Sequence, residues 1–135
     1  MNLNNNDLHI LLLTHGKAGE ALMESAEMIA GELSNVHALS LMPGTSPETY
    51  KEEVKEQLST FHGDILIFCD IFGGTPSYVA AELATDYKIS LLSGLNLAML
   101  LEACLSKTYD NFANFVTKVK EAGDASVVLI QSENT

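Results

Sequence analysis

Basic side chains are scarce in this chain: 7 lysines and arginines face 18 aspartates and glutamates, for a formal charge of −11 at pH 7. A field of that sign repels nucleic acid and anionic membrane surfaces, which argues against both as partners. The acidity reads as a solubility device, and its functional alternative is an acidic rim that steers a basic protein partner. Cysteine is sparse too. Cys69 falls in an apolar strand and Cys104 on an apolar helix, without metal-ligand spacing, so both read as buried thiols in a reducing cytoplasm. No apolar run approaches the length of a membrane span, and the polar, Asn-rich start from Met1 to Asp7 lacks the basic flank of a signal peptide. Repeats, low-complexity tracts and linkers are also missing, so a single domain over residues 1–135 is the expectation.

What is present is the material for a core. At 135 residues and 47% apolar composition, the chain can bury enough surface to support one. Short apolar runs alternate with segments of helical periodicity, which predicts an α/β domain: a doubly wound, mostly parallel sheet of four to five strands with helices on both faces. The expected strands are Leu8 to Thr14, Val36 to Leu41, Asp64 to Cys69, Ile89 to Leu92 and Ser126 to Gln131. Runs such as Ile65-Leu66-Ile67-Phe68 are continuously apolar because a parallel strand is buried on both faces.

Helices are expected between them. The first carries Ala18, Ala21, Leu22, Ala26 and Ile29 on one stripe and ends near Gly31. In the second, Ser46 caps, Pro47 fits the first turn, and Tyr50, Val54, Leu58 and Phe61 form the stripe before His62 and Gly63 terminate it. Thr75-Pro76 repeats the cap-then-proline signal for a third, running through about Ala84. Asn96 opens a fourth to about Leu105, and Asp110 caps the last, which Gly123 closes.

The chemistry sits where strands end. Leu11-Leu12-Leu13-Thr14-His15-Gly16 and Phe68-Cys69-Asp70-Ile71-Phe72-Gly73-Gly74-Thr75-Pro76 each pass from a buried strand into polar, glycine-rich sequence. In an open parallel sheet, ligands gather outside the carboxyl ends of the strands. His15 then sits on a tight turn with solvent access, and a neutral imidazole there can attack through one nitrogen if an acceptor holds the other. Asp70 is the obvious acceptor, since first and third strands lie side by side in many doubly wound sheets. Read separately, the pair is a surface or capping histidine and a turn-forming aspartate. Gly73, Gly74 and Thr75 supply an anion cradle, with glycines for close backbone approach and a helix start presenting unpaired N–H groups. Read as plain structure, they form a turn with a threonine cap.

The cradle is neither a Walker loop nor a dinucleotide fingerprint, and no nucleophile elbow accompanies the histidine. Ser93-Gly94-Leu95-Asn96 ends the fourth strand, so that Ser93 and Asn96, with Gly16 and Phe72, are candidate walls of the crevice. His9, His37 and His62 have no partner pattern and read as surface or capping residues. No second carboxylate stands beside Asp70 to hold a metal, and neither metal nor cofactor is expected.

Assembled in order, Thr14-His15-Gly16 with Ala18 and Ser25-Ala26-Glu27, then Asp70 through Pro76, then Ser93-Gly94-Leu95-Asn96-Leu97, the motifs resemble the IIA component of the mannose family of the bacterial phosphoenolpyruvate-dependent sugar phosphotransferase system. The resemblance covers nearly the whole chain. It implies a phosphocarrier in which His15 takes a phosphoryl group from the phosphocarrier protein HPr and passes it to a IIB component, with membrane IIC and IID components served indirectly. It also implies that Asp70 orients the histidine, that Thr75 is the hydroxyl residue at the phosphate-binding helix start, and that the domain is a homodimer whose last strand can be exchanged. Two positions depart from the family pattern: Phe72 stands where some members have tryptophan, and Ala98 follows Asn96-Leu97 where proline is frequent. Neither touches the implied chemistry. The competing readings are the phosphotransfer subunit of a dihydroxyacetone kinase, a regulatory module that senses phosphorylation without passing it on, and a protein that merely binds an anionic metabolite at the glycine turn.

Overall fold

The computed structural model describes residues 7–133, so most of the Asn-rich start falls outside it. In chain order the elements are β1 (Leu8–His15), α1 (Ala18–Ala30), β2 (Val36–Leu41), α2 (Pro47–Leu58), β3 (Asp64–Cys69), α3 (Thr75–Leu83), β4 (Ile89–Ser93), α4 (Leu97–Leu105) and α5 (Phe112–Ala125). The strands make one parallel sheet in the order β2-β1-β3-β4. The chain moves outward from β1 to β2, then returns to place β3 on the other side of β1. That reversal puts the switch point between β1 and β3, where such sheets open a crevice at their carboxyl ends.

Two apolar layers sandwich the sheet, and the strands' period of two decides which side each residue serves. Leu8, Ile10, Leu12, Leu66 and Phe68 pack with Ala26 of α1, with Met99, Leu100 and Ala103 of α4, and with Phe115 and Val119 of α5. Leu11, Leu13, Ile65, Ile67 and Cys69 face the opposite way, onto Tyr50, Val54 and Leu58 of α2 and Val79, Ala80 and Leu83 of α3. The expected α/β architecture with helices on both faces is therefore present. Among the described residues no helix is long and apolar enough to cross a membrane.

Several local expectations shift. Ser46 and Asn96 cap as expected, accepting from the N–H groups of Thr49 and Met99. Asn111 rather than Asp110 caps α5, its Oδ1 accepting from the Asn114 N–H at 3.0 Å. Gly123 does not close that helix, which continues to Ala125. Its missing side chain instead makes room for Met99, whose Cε occupies the space a Cβ would need. α2 stops at Leu58, and Phe61 is buried just beyond it.

Of the histidines away from the carboxyl edge, His62 is exposed as expected, whereas His9 and His37 are packing groups. The His9 ring stacks on Phe61 at 4.5 Å, and His37 tilts against the same ring from 5.5 Å. Burial therefore pushes His9 below its ordinary value, against the opposing pull of Asp7.

The largest correction concerns Ser126 to Gln131, which forms no strand. Val127, Val128, Leu129 and Ile130 are between 68% and 87% exposed. A β-branched apolar run has strand composition, but a strand exists only where an edge receives it.

Candidate functional site

His15 is the last residue of β1, in register with Leu41 of β2, and Asp70 follows β3 directly. Where β1 and β3 stop exchanging backbone bonds, the Asp70 side chain takes over. Its Oδ2 accepts from the backbone N–H of His15 at 2.9 Å and lies 2.9 Å from Nδ1 of the same residue. Its Oδ1 accepts from the Ile71 N–H at 3.0 Å. Partial burial pushes the Asp70 carboxyl upward, but the bonds from the His15 backbone, the His15 ring and Ile71 outweigh it and hold the group below the usual carboxylate range. An ionised carboxylate can only accept. Nδ1 must therefore carry a proton, which leaves the lone pair of a neutral ring on Nε2. The imidazole is 46% exposed and the carboxyl 23%, so the ring is reachable while its anchor is partly shielded.

The edge of the ring opposite Asp70 meets the start of α3. A Cβ built on Gly74 would stand 2.6 Å from Cε1 and 3.0 Å from Nε2 of His15. Gly74 has φ −93° and ψ 175°, open to any residue, so it is the histidine and not the backbone that demands glycine here. Gly74 is also the N-cap of α3, with Thr75 and Pro76 occupying the first turn. The expected threonine cap is thus displaced by one residue, with a chemical consequence. Glycine has no side chain to satisfy the helix start and no side-chain cap bond forms. The first-turn N–H groups, which have no intrahelical partner, are left to an anion, and the helix dipole favours one there.

The N–H of Gly73, by contrast, is already engaged. It donates to Ser77 Oγ at 2.9 Å, and the Ser77 hydroxyl donates to the Gly74 carbonyl at 3.1 Å. Gly73 itself adopts φ +98°, which keeps glycine at the apex of the turn.

Thr14 does similar work under the other turn. Only 1% exposed, its hydroxyl donates to the Gly16 carbonyl at 3.1 Å and accepts from the Gly19 N–H at 2.9 Å. Gly16 has φ +57° and its N–H reaches the Leu41 carbonyl at 2.8 Å. Lys17, the N-cap of α1, makes no side-chain cap bond, and Thr14 supplies one donor's partner from the preceding turn. Neither Ser77 nor Thr14 is assigned a role by sequence reasoning, because the partners of each hydroxyl are brought to it only by the folded turn.

The other candidates separate. Phe72 is 85% exposed and, with Ser93, borders a groove of about 320 Å³ that also meets Leu91, Met99 and Asp124. Asn96 spends its side chain on structure: Oδ1 accepts from Met99 and Nδ2 donates to the Gly123 carbonyl at 3.3 Å, tying α4 to α5. Cys69, next to Asp70, is no nucleophile, because burial pushes its thiol up to about 12. Among the described residues no group of three His, Cys, Asp or Glu side chains is placed to hold a metal.

Fold and site together define a doubly wound α/β domain with an aspartate-anchored histidine facing an uncapped helix N-terminus. The chain belongs to the EIIA-man family, described as the PTS system fructose IIA component, whose model matches residues 9–120. It is 32% identical over 129 residues to the mannose-specific EIIAB component of Escherichia coli K12, a match covering 92% of this chain and 40% of that protein. The chain thus spans less than half the length of that relative. It is 35% identical to the fructose-specific EIIA component of Bacillus subtilis over 70% of this chain and 67% of the other. The crystal structure of EIIA from Streptococcus agalactiae superposes with a TM-score of 0.84 at 32% identity, covering 90% of this chain and 95% of that one. The family expected from the sequence motifs is the family found.

The Gly74 contact makes a direct prediction. Gly74→Ala should still fold, since its backbone angles suit alanine, but the new methyl must displace the imidazole from its present position between Gly74 and Asp70. In a two-dimensional NMR spectrum the His15 ring signals should shift, whereas the signals of His9 and His62 stay in place. An unmoved His15 ring would contradict the packing described.

Proposed function

We propose that the chain is a cytoplasmic phosphocarrier of sugar uptake, with His15 accepting a phosphoryl group from phospho-HPr and passing it to a IIB component. The observation that carries this reading is the two-sided hold on one ring: Asp70 takes Nδ1–H, and the Nε2 edge faces the uncapped start of α3. In the forward step the Nε2 lone pair attacks phosphorus while the donor's phosphorus–nitrogen bond breaks, and the donor leaves as a neutral imidazole. His15 becomes an N-phosphoimidazole that keeps its Nδ1 proton and acquires positive character, which the Asp70 carboxylate stabilises. The new phosphoryl oxygens meet the N–H groups of Gly74, Thr75 and Ser77. Gly73 shapes the cradle but has given its own N–H to Ser77. The second transfer reverses these movements toward the acceptor.

Family membership supports this reading over a plain metabolite-binding protein. The test is sequential: purified chain, phospho-HPr with its phosphorylating enzyme, then a IIB protein. Label should appear on the chain and leave it when IIB is added. Label that enters and stays would support the sensing module instead, and no label with a competent donor would support the binding protein.

The exposed apolar run after α5 supports a homodimer. β4 is an edge strand flanked by grooves of about 320 and 370 Å³, while the apolar run Val127-Val128-Leu129-Ile130 is exposed. An exposed run of that kind invites association, and exchange between two copies would cover both the run and the edge. Deleting residues after Ala125 should therefore abolish the dimer in sedimentation or cost solubility. A full-length chain that sediments as a monomer at micromolar concentration would contradict the pairing.

A further inference from the structure

We infer that Ser77 is a positioning residue for His15, acting through the glycine turn and not through contact with the phosphoryl group by its side chain. This rests on the phosphocarrier reading for its effect on transfer, though not for its effect on the ring. Ser77 is only 3% exposed, yet its hydroxyl makes no use of the apolar layer beneath it. It accepts from the Gly73 N–H at 2.9 Å and donates to the Gly74 carbonyl at 3.1 Å, so both ends of the Gly73–Gly74 unit are tied to the first turn of α3. Gly73 sits at φ +98°, in a region where glycine is freest. A turn that mobile needs an external tie to hold one shape.

The shape matters because Gly74 is the surface against which His15 rests. The ring lies so close that even one methyl on Gly74 would fall 2.6 Å from Cε1. Asp70 fixes Nδ1 and leaves the ring free to pivot about that bond, and the Gly74 backbone is the stop on the other side. Slack in the turn of a few tenths of an ångström would therefore reappear as slack in where Nε2 points. It would also disperse the N–H groups of Gly74 and Thr75 that the same turn aims. Positioning errors on that scale are costly to transfer reactions, because much of the rate comes from orientation already paid for in folding.

Ser77 also decides which amides are available. Its hydroxyl occupies the Gly73 N–H, so the anion is restricted to donors on the helix side of the turn. Freed from Ser77, the Gly73 N–H would compete for the same phosphoryl oxygens from a different direction, and the transfer geometry would lose its uniqueness.

The test compares Ser77→Ala and Ser77→Thr with wild type. Alanine suits a helix interior and threonine keeps the hydroxyl. In nitrogen-15 NMR of the unphosphorylated proteins, Ser77→Ala should shift and broaden the His15 ring signals and change their tautomer balance, while Ser77→Thr stays close to wild type. At saturating phospho-HPr the transfer rate of Ser77→Ala should fall roughly tenfold or more with the half-saturating donor concentration little changed, and threonine should restore most of it. Melting temperatures control for a purely structural effect. The inference is overturned if Ser77→Ala leaves the His15 ring signals unchanged, or if threonine is as impaired as alanine. Should wild type take no phosphoryl group at all, the phosphocarrier reading fails while the ring signals still judge the role of Ser77.

Discussion

Phosphorylation by phospho-HPr should vanish in His15→Ala and persist in His9→Gln, His37→Gln and His62→Gln. Of the four histidines, His15 combines exposure, a carboxylate on Nδ1 and a neighbouring helix start without a side-chain cap. His9 and His37 are packed against Phe61 near the amino ends of the strands, and no uncapped helix start meets their rings. Because His15 is half-exposed at a sheet edge, its truncation removes no core contact and should leave the melting temperature within a few degrees of wild type. Filter binding of labelled protein, or phosphate-affinity electrophoresis, reads the result. Residual label in His15→Ala comparable to wild type would place the acceptor elsewhere.

Asp70→Asn should slow transfer by more than ~10-fold, the scale on which acid, base and orienting groups contribute. Asparagine is nearly isosteric, and with its oxygen in the place of Oδ2 it still accepts from the His15 backbone N–H, so the turn survives in that orientation. What changes is the partner offered to Nδ1. If the amide presents its NH2 group there, the ring must accept, the proton moves to Nε2, and the lone pair needed for attack is lost. Even with its oxygen toward the ring, a neutral amide stabilises the developing positive charge less than a carboxylate does.

The same substitution has a pH signature. The Asp70 carboxyl is lowered in the folded protein by its hydrogen bonds with His15 and Ile71, which overcome the upward push of burial. Its stabilising contribution is therefore present at neutral pH and above the ordinary carboxylate value, and it is lost as pH falls through the lowered folded value. Melting of wild type and Asp70→Asn should differ at pH 7 and converge in acid. Wild-type transfer rates in the mutant, with equal melting at every pH, would refute the pairing.

Much of this site could be read before any coordinates. β1 and β3 announce themselves because burial on both faces leaves their central runs, Ile10 to Leu13 and Ile65 to Cys69, without a polar residue, and His15 and Asp70 are conspicuous because each follows such a run into a glycine turn. Their adjacency depended on a topological regularity, β3 beside β1, that the sheet obeys. The supporting shell was harder. Ser77 looks like any first-turn helical serine until the turn brings the Gly73 N–H onto it, and the need for glycine at position 74 comes from a ring in another strand. Gly123 shows the converse: it carries a stop signal by type, but inside α5 its role is to admit Met99. The run from Val127 to Ile130 was misplaced because periodicity and composition describe what a segment could pair as, while its partner edge is a property of the assembled protein.

The most direct measurement is the location of the phosphoryl group to the atom. The chain, phosphorylated by phospho-HPr and kept alkaline to preserve phosphohistidine, would be mapped by mass spectrometry of its peptides, and the labelled ring would be assigned by nitrogen-15 and phosphorus-31 NMR. The account predicts phosphate on His15, at Nε2, with Nδ1 still protonated toward Asp70. Phosphate on His9, His37 or His62, or on Nδ1 of His15, would contradict it.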